Sequence, residues 1–274
     1  MKRINITYIV FGLLGGLLLI DLVLPVASLM FNIEWATWGA ALRHADAIKA
    51  LKVSVVSSLL TVAIMALLGI PAAYVLARTE LPFKRLWISL IFLPLVVPDL
   101  AGGILLLQTF GPYGIVGGSF EAQNIRLTNN LAGIVLAQLF VAAPFVIISA
   151  LAGFRSVDTK LEWAAATLGD SRWEIFRRVS LPLAWPGIAS GLMLGWIRAL
   201  GEFGSTLIMA YNPHTLPVYM WVKFESDGLR GALPTAFCLV SMAVIAVAVS
   251  MLISRLTGYA DVVPPLSKAM TSER

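Results

Sequence analysis

Residues 131–153 read LAGIVLAQLFVAAPFVIISALAG. The stretch carries no charged residue, and Gln138 and Ser149 are its only polar side chains. At 1.5 Å rise per residue, a helix of this length crosses a hydrocarbon layer about 30 Å thick. It does not alternate apolar with polar residues as a barrel strand would, so a membrane β-barrel is excluded. Similar apolar segments cover 7–31, 53–77, 86–110, 185–210 and 234–256. The expected fold class is therefore all-α: a polytopic membrane protein of about six transmembrane helices.

Composition agrees with that pattern. The 274 residues are 59% hydrophobic and 13% charged, with a mean hydropathy of +0.87. Soluble domains are nearer half apolar and a quarter charged. The formal charge of +5 belongs to short loops between apolar runs, so it argues for membrane orientation and against nucleic acid. Lys2, Arg3, Arg78, Lys84, Arg85, Arg155, Lys160, Arg172, Arg177, Arg178, Arg255, Lys268 and Arg274 fall on one side. Arg43, Lys49, Lys52, Arg126, Lys223 and Arg230 fall on the other. The positive-inside rule then places both termini in the cytoplasm. Met1-Lys2-Arg3 precedes an apolar run to Phe31, longer than a cleaved signal core, and reads as a retained anchor. The expected organisation is one transmembrane domain over 1–274.

Enzymatic chemistry finds little support. Cys238 is the only cysteine and lies in an apolar run. His44 and His214 fall in different loops without metal-ligand neighbours, so no metal and no catalytic residues are expected. No G-x-x-x-x-G-K-[ST] loop occurs, so the chain lacks the phosphate cradle for hydrolysing ATP itself.

Three features break the plain pattern of spans. The third apolar segment contains Pro94 and Pro98, then Asp99 and Gly102-Gly103, and is expected to be irregular: broken at the two prolines and lining a conduction path, or simply kinked between packed helices. The fifth contains Arg198 and Glu202, four residues apart and on one helical face. Charges at mid-membrane cost about 2.5–3.5 kcal/mol each on insertion scales, so each needs a partner. Asp99 lies at a similar depth, and Arg198 is expected to pair with Asp99 or Glu202 near a pore. Gly201, Gly204, Ser205 and Thr206 are small enough to narrow such a path. Asp21, in the first segment, is expected to need a polar partner. Trp35, Trp38, Tyr113, Tyr211, Tyr219 and Trp221 suit an interfacial aromatic belt.

The third feature is the basic loop at 154–184. Thr159 and Glu162 have capping-box spacing, as do Ser171 and Glu174. Leu161, Ala164, Ala165 and Leu168 fall on one helical face, Gly169 sits where a left-handed cap belongs, and Leu181-Pro182 is expected to end the second helix. The reading is helix, glycine turn, short helix, stop.

These residues carry a resemblance. Ala164, Ala165, Gly169, Val179, Leu181 and Pro182 match the spacing of the EAA loop in permease subunits of ABC importers. The motif's glutamate would fall at Trp163, and Glu162 is the nearest acidic residue. Arg198-Ala-Leu-Gly-Glu-Phe-Gly-Ser-Thr206 resembles the signature of permeases for molybdate, tungstate and sulfate, as does the Leu93-Pro94-Leu95…Pro98…Gly102 region. Ser205-Thr206 and Tyr211-Asn212-Pro213 resemble the molybdate or tungstate branch more closely than the sulfate or thiosulfate branch. The resemblance implies a type I importer fold in the cell membrane, without a cofactor of its own. Partners would be a second copy, two ATPase subunits carrying ATP and Mg, and an external binding protein. It further implies that Glu162, Ala164, Ala165, Gly169, Ser171, Trp173, Glu174, Phe176, Leu181 and Pro182 serve coupling to the ATPase. An intramembrane enzyme is the distant alternative.

Overall fold

The structure is a computed structural model that describes residues 6–32, 39 and 43–256. Lys2, Arg3, Trp35, Trp38, Lys268 and Arg274 lie outside the described residues, and the side chain of Arg255 is not described. The described residues form α-helices and turns: α1 (Ile6–Asn32), α2 (Ala45–Arg78), α3 (Lys84–Val96), α4 (Asp99–Phe110), α5 (Gly117–Glu121), α6 (Leu131–Ser156), α7 (Thr159–Thr167), α8 (Arg172–Ile175), α9 (Leu181–Leu200), α10 (Gly204–Met209) and α11 (Leu216–Leu256). Five helices are long and apolar enough to cross a membrane, and the α3–α4 pair would make a sixth.

The third expected span is broken, at Pro98 alone: α3 and α4 meet at 116° across Val97-Pro98. Pro98 N-caps α4 without needing a backbone N–H, whereas Pro94 stays inside α3. The fifth does not continue to 210. Its helix stops at Leu200, turns through 201–203 and restarts as the six-residue α10. The last span is longer than its apolar core, because α11 begins at Leu216 and kinks where Gly228 takes φ 67°.

The centre of the bundle is α6, which packs along α2 and α9. Helix association in lipid depends on close backbone approach, since lipid tails are as apolar as leucine. Gly187 on α9 supplies it: a Cβ there would sit 2.8 Å from Gly153 Cα and 3.0 Å from Ser149 O on α6. Around this contact Ala73, Leu76, Ala150, Leu151, Phe154, Val157, Ala184 and Ile188 form the largest buried cluster. A second set of contacts is polar. Thr61 donates to Gln138 Oε1 (2.9 Å), Gln138 donates to Ser57 Oγ (3.1 Å), Trp196 Nε1 donates to Ser58 Oγ (3.2 Å), and Leu216 N donates to Ser54 Oγ (2.8 Å). These bonds tie α2 to α6, α9 and α11, each worth about 0.6 kcal/mol by membrane double-mutant measurements.

α1 meets the bundle at α11, and none of its most apolar window is buried within the chain. Asp21 on it is exposed. Of the expected aromatic belt, Tyr113 and Tyr211 are exposed, but Tyr219 is buried against Ala47, Ala50 and Leu216.

Candidate functional site at the paired helix breaks

The two breaks face each other. α10 lies against α4, and glycine makes the approach possible: a Cβ on Gly204 would sit 2.7 Å from Asp99 Cβ and 3.0 Å from Leu100 N. Ser205 Oγ donates to the carbonyl of Asp99 at 2.7 Å, and Ser205 N–H donates to Glu202 Oε1 at 2.7 Å. The Ser205 hydroxyl thus ties one break to the other, while the Ser205 amide is held within its own.

Arg198, one turn before the α9 break, spans the junction. Its guanidinium donates to Asp99 Oδ1 at 2.7 Å and to Glu202 Oε2 at 3.0 Å. The expected choice between two partners resolves into both at once. Their surroundings differ: the Glu202 side chain is 0% exposed, Arg198 27% and Asp99 45%. Glu202 is a fixed inner anchor, fully bonded by Arg198 and the Ser205 amide. Asp99 is an outer arm carried on a different helix. Gly201 is exposed in the turn, and Thr206 is buried with no hydrogen bond from its Oγ1 among the described residues.

The basic loop forms a compact element at the end of the bundle that also carries Arg78, Lys84 and Arg85. The Ser171 box forms as the spacing predicts, with Ser171 N–H donating to Glu174 Oε2 at 2.9 Å and Glu174 N–H to Ser171 Oγ at 3.4 Å. Gly169 takes φ +98°, the left-handed conformation its position predicts. The Thr159 box does not form. Asp158 caps α7 instead, accepting from Lys160 N at 2.9 Å, and Glu162 turns to other partners. Leu181-Pro182 does not stop the chain either. A π-helical turn at Phe176–Ser180 carries α8 straight into α9, where Pro182 occupies the first turn and has no amide to satisfy.

Of the expected apolar stripe only Ala165 is buried; Leu161, Ala164 and Leu168 are exposed, as are Trp163 and Trp173. Phe176 faces inward, packing edge-on against Tyr74 with ring centroids 4.8 Å apart and stacking under Trp173 at 5.5 Å. Leu181 packs against the same cluster.

The Ser171 N–H bond holds the Glu174 carboxyl below the usual carboxylate range, and the Ser171 hydroxyl adds to this. A carboxyl depressed in the folded state stabilises the cap above its unfolded pKa, and that stability is lost as pH falls through the folded value. Ser171→Ala is therefore expected to speed amide exchange in α8 about fivefold at neutral pH. The difference from the parent should shrink under acid, as read by hydrogen–deuterium exchange.

Sequence reasoning missed several groups. Arg78 and Ser180 join Glu162, and the Ser57–Gln138–Thr61 ladder lies inside apolar runs. His44 and His214, in separate loops, line one cavity of about 450 Å³ with Asp46, Lys49, Tyr219 and Lys223. No group of three metal-binding side chains occurs among the described residues.

Comparison with known proteins gives a consistent result. The chain is 41% identical over 232 residues to a probable molybdenum ABC transporter permease protein of Haloferax volcanii, covering 85% of each chain. It is 37% identical to the molybdate/tungstate transport system permease protein WtpB of Thermococcus kodakarensis, over 88% of this chain and 93% of that one. A sulfate transport system permease protein of Synechocystis, CysW, is 27% identical over 94% of this chain and 96% of that one. In three dimensions it is similar to a chain of a bacterial ABC transporter that imports alginate, with TM-score 0.71 and 19% identity over 92% of this chain and 96% of that chain. The model for the binding-protein-dependent transport system inner membrane component matches residues 66–260, and the chain belongs to that family of multi-pass membrane proteins.

Proposed function

We propose that this chain is the permease subunit of an ATP-driven importer for molybdate or tungstate in the plasma membrane. The observation that supports the substrate class best is the similarity to molybdenum and molybdate/tungstate permeases at 32–42% identity, against 27% for the sulfate relative. The chain acts as one transmembrane unit over 1–274, with both termini cytoplasmic. It pairs with a second copy to enclose the path. Two ATPase subunits, which carry ATP and Mg, engage the loop at 154–184, and an external binding protein delivers the oxyanion. One relative in structure was crystallised with a substrate-bound periplasmic protein, which supports a partner of that kind.

The cluster at the helix breaks suggests how passage is controlled. Asp99, Arg198 and Glu202 carry two formal negative charges and one positive. In this arrangement they repel a divalent oxyanion, which corresponds to a closed path. Glu202 keeps the guanidinium in place. Asp99 can leave, because α4 follows a sharp break and its carboxylate is half-exposed. Movement of α4 away from α10 uncovers Arg198 as a single weak attraction, and a weak site releases what it binds.

The test is reconstitution with the ATPase and binding-protein candidates and measurement of ATP hydrolysis. Molybdate or tungstate with the binding protein is expected to stimulate hydrolysis, and sulfate to stimulate it less. Stimulation by sulfate alone would move the assignment to the sulfate or thiosulfate branch. No stimulation by any of the three would reject an oxyanion importer.

A further inference from the structure

Glu162 is the acidic residue nearest the EAA position, yet its side chain is turned into the protein. Its Oε1 accepts from Arg78 Nε at 2.8 Å and from Ser180 Oγ at 2.7 Å. Arg78 is spent on the same junction, since its Nη2 donates to the carbonyl of Val157 at 3.1 Å. Both side chains are nearly enclosed, at 13% and 12% exposure. Trp163, at the motif's glutamate position, points outward and is 68% exposed.

Arg78 ends α2, Val157 ends α6, Glu162 lies on α7 and Ser180 closes the π-helical turn. The Arg78–Glu162 pair therefore joins four elements, two of them spans. A second fastening lies beside it, where Tyr74 of α2 packs against Phe154 of α6 (5.2 Å between centroids) and Phe176 of the turn (4.8 Å). The loop adjoins α6 and α9 in sequence, but it has no chain connection to α2. The Arg78–Glu162 bond bridges 84 residues and is the only ion pair among the described residues that links this loop to α2. α2 runs on for 34 residues, about 51 Å. Near its far end Ser54 holds the first amide of α11.

We infer that Glu162 is a positioning residue, not an ATPase contact: it pins the 159–180 element to α2 through Arg78, so that displacement of α8 moves α2 with it. This rests on the importer reading above. Without the pin, α7 and α8 remain folded by their own caps and Gly169 turn, and the Tyr74–Phe176 ring contact is left as the loop's tie to α2. A push on the loop then reaches α6 and α9 through the chain, and α2 only through that uncharged contact.

Two measurements on the full chain in lipid nanodiscs test this. The first needs no partner: hydrogen–deuterium exchange on Glu162→Gln and Arg78→Gln. Both are expected to raise exchange in 159–180 and at the end of α2 while leaving α11 unchanged. The second uses the reconstituted complex. Glu162→Gln is expected to leave ATPase co-purification at the parent level and to lower the ratio of oxyanion transported to ATP hydrolysed about tenfold. The charge-swapped pair Glu162→Arg with Arg78→Glu is expected to restore most of that ratio, whereas either swap alone does not. Trp163→Ala serves as the contrast and is expected to weaken co-purification. Loss of ATPase binding in Glu162→Gln, or an unchanged transport ratio, would overturn the inference. A parent complex that fails to couple at all would reject the importer reading, and the exchange result would still decide whether the pin exists.

Discussion

Arg198→Met is expected to destabilise the protein by about 3–5 kcal/mol, because it leaves Glu202 as a buried carboxylate without its cation. Methionine keeps most of the side-chain volume, so the loss would come from charge and not from a cavity. The double variant Arg198→Met with Glu202→Gln is expected to recover most of that stability. A glutamine carbonyl at position 202 can still accept from Ser205 N–H, which preserves the entry into α10. Asp99 loses its partner in both variants, but it is half-exposed and tolerates the loss. Transport is expected to stay absent in the double variant, since the cation that meets the oxyanion is gone. Thermal melting in detergent and uptake by proteoliposomes separate the two effects. Unchanged melting of the single variant would show that Glu202 does not depend on Arg198. Full uptake by the double variant would remove Arg198 from the path.

The contrast between Glu202 and Asp99 explains how far the sequence could be read. Arg198 and Glu202 share a helix, so their spacing alone predicts contact. In the sequence only membrane depth ties Asp99 to them, and depth suffices because charges at that level need partners. Neither count locates the breaks. Arg198-Ala-Leu-Gly-Glu-Phe-Gly reads as a continuous helix by hydropathy; the end at Leu200 combines a local bond, the Glu202 carboxylate accepting from the Ser205 amide three residues on, with the packing of α10 on α4, which no local pattern announces. Pro98 was legible as a breaker, but a proline does not encode a 116° turn. That angle comes from the close approach of Gly204 to Asp99.

The basic loop shows the same limit. Ser171 and Glu174 form their box because the neighbouring cation, Arg178, is exposed and reaches only Glu174 Oε1, at 3.8 Å, which leaves Oε2 to Ser171. Thr159 and Glu162 have identical spacing, but Arg78 offers Glu162 a charged donor in a half-dry setting, and a charge-assisted bond there outweighs a reciprocal cap. Arg78 is 84 residues away, so no local pattern announces it. Spans, caps and glycine turns are local and could be read. Pairings between spans depend on which faces meet, and apolar runs with low amphipathicity do not declare their faces.

Gly187→Val is expected to cost about 3 kcal/mol or more and to leave little monodisperse protein. The reason is what the new side chain would meet. Its Cβ alone would lie 2.8 Å from Gly153 Cα, 3.0 Å from Ser149 O and 3.1 Å from Gly153 N. All three are backbone atoms of α6, the helix on which α2 and α9 both pack, so relief requires the two central spans to separate. Gly204→Val presents a clash of the same size, with Asp99 Cβ at 2.7 Å and Leu100 N at 3.0 Å, and a different outcome is expected. These atoms belong to the first turn of α4, which hangs from a break and can swing outward as a unit. That variant should fold, with the Ser205–Asp99 and Arg198–Asp99 bonds stretched and transport reduced at least about tenfold. Size-exclusion profiles and melting curves for both variants, with uptake measured on whichever folds, decide the point. Equal loss of folded protein would mean that α4 is as fixed as α6, and the movable Asp99 arm would then have no structural basis.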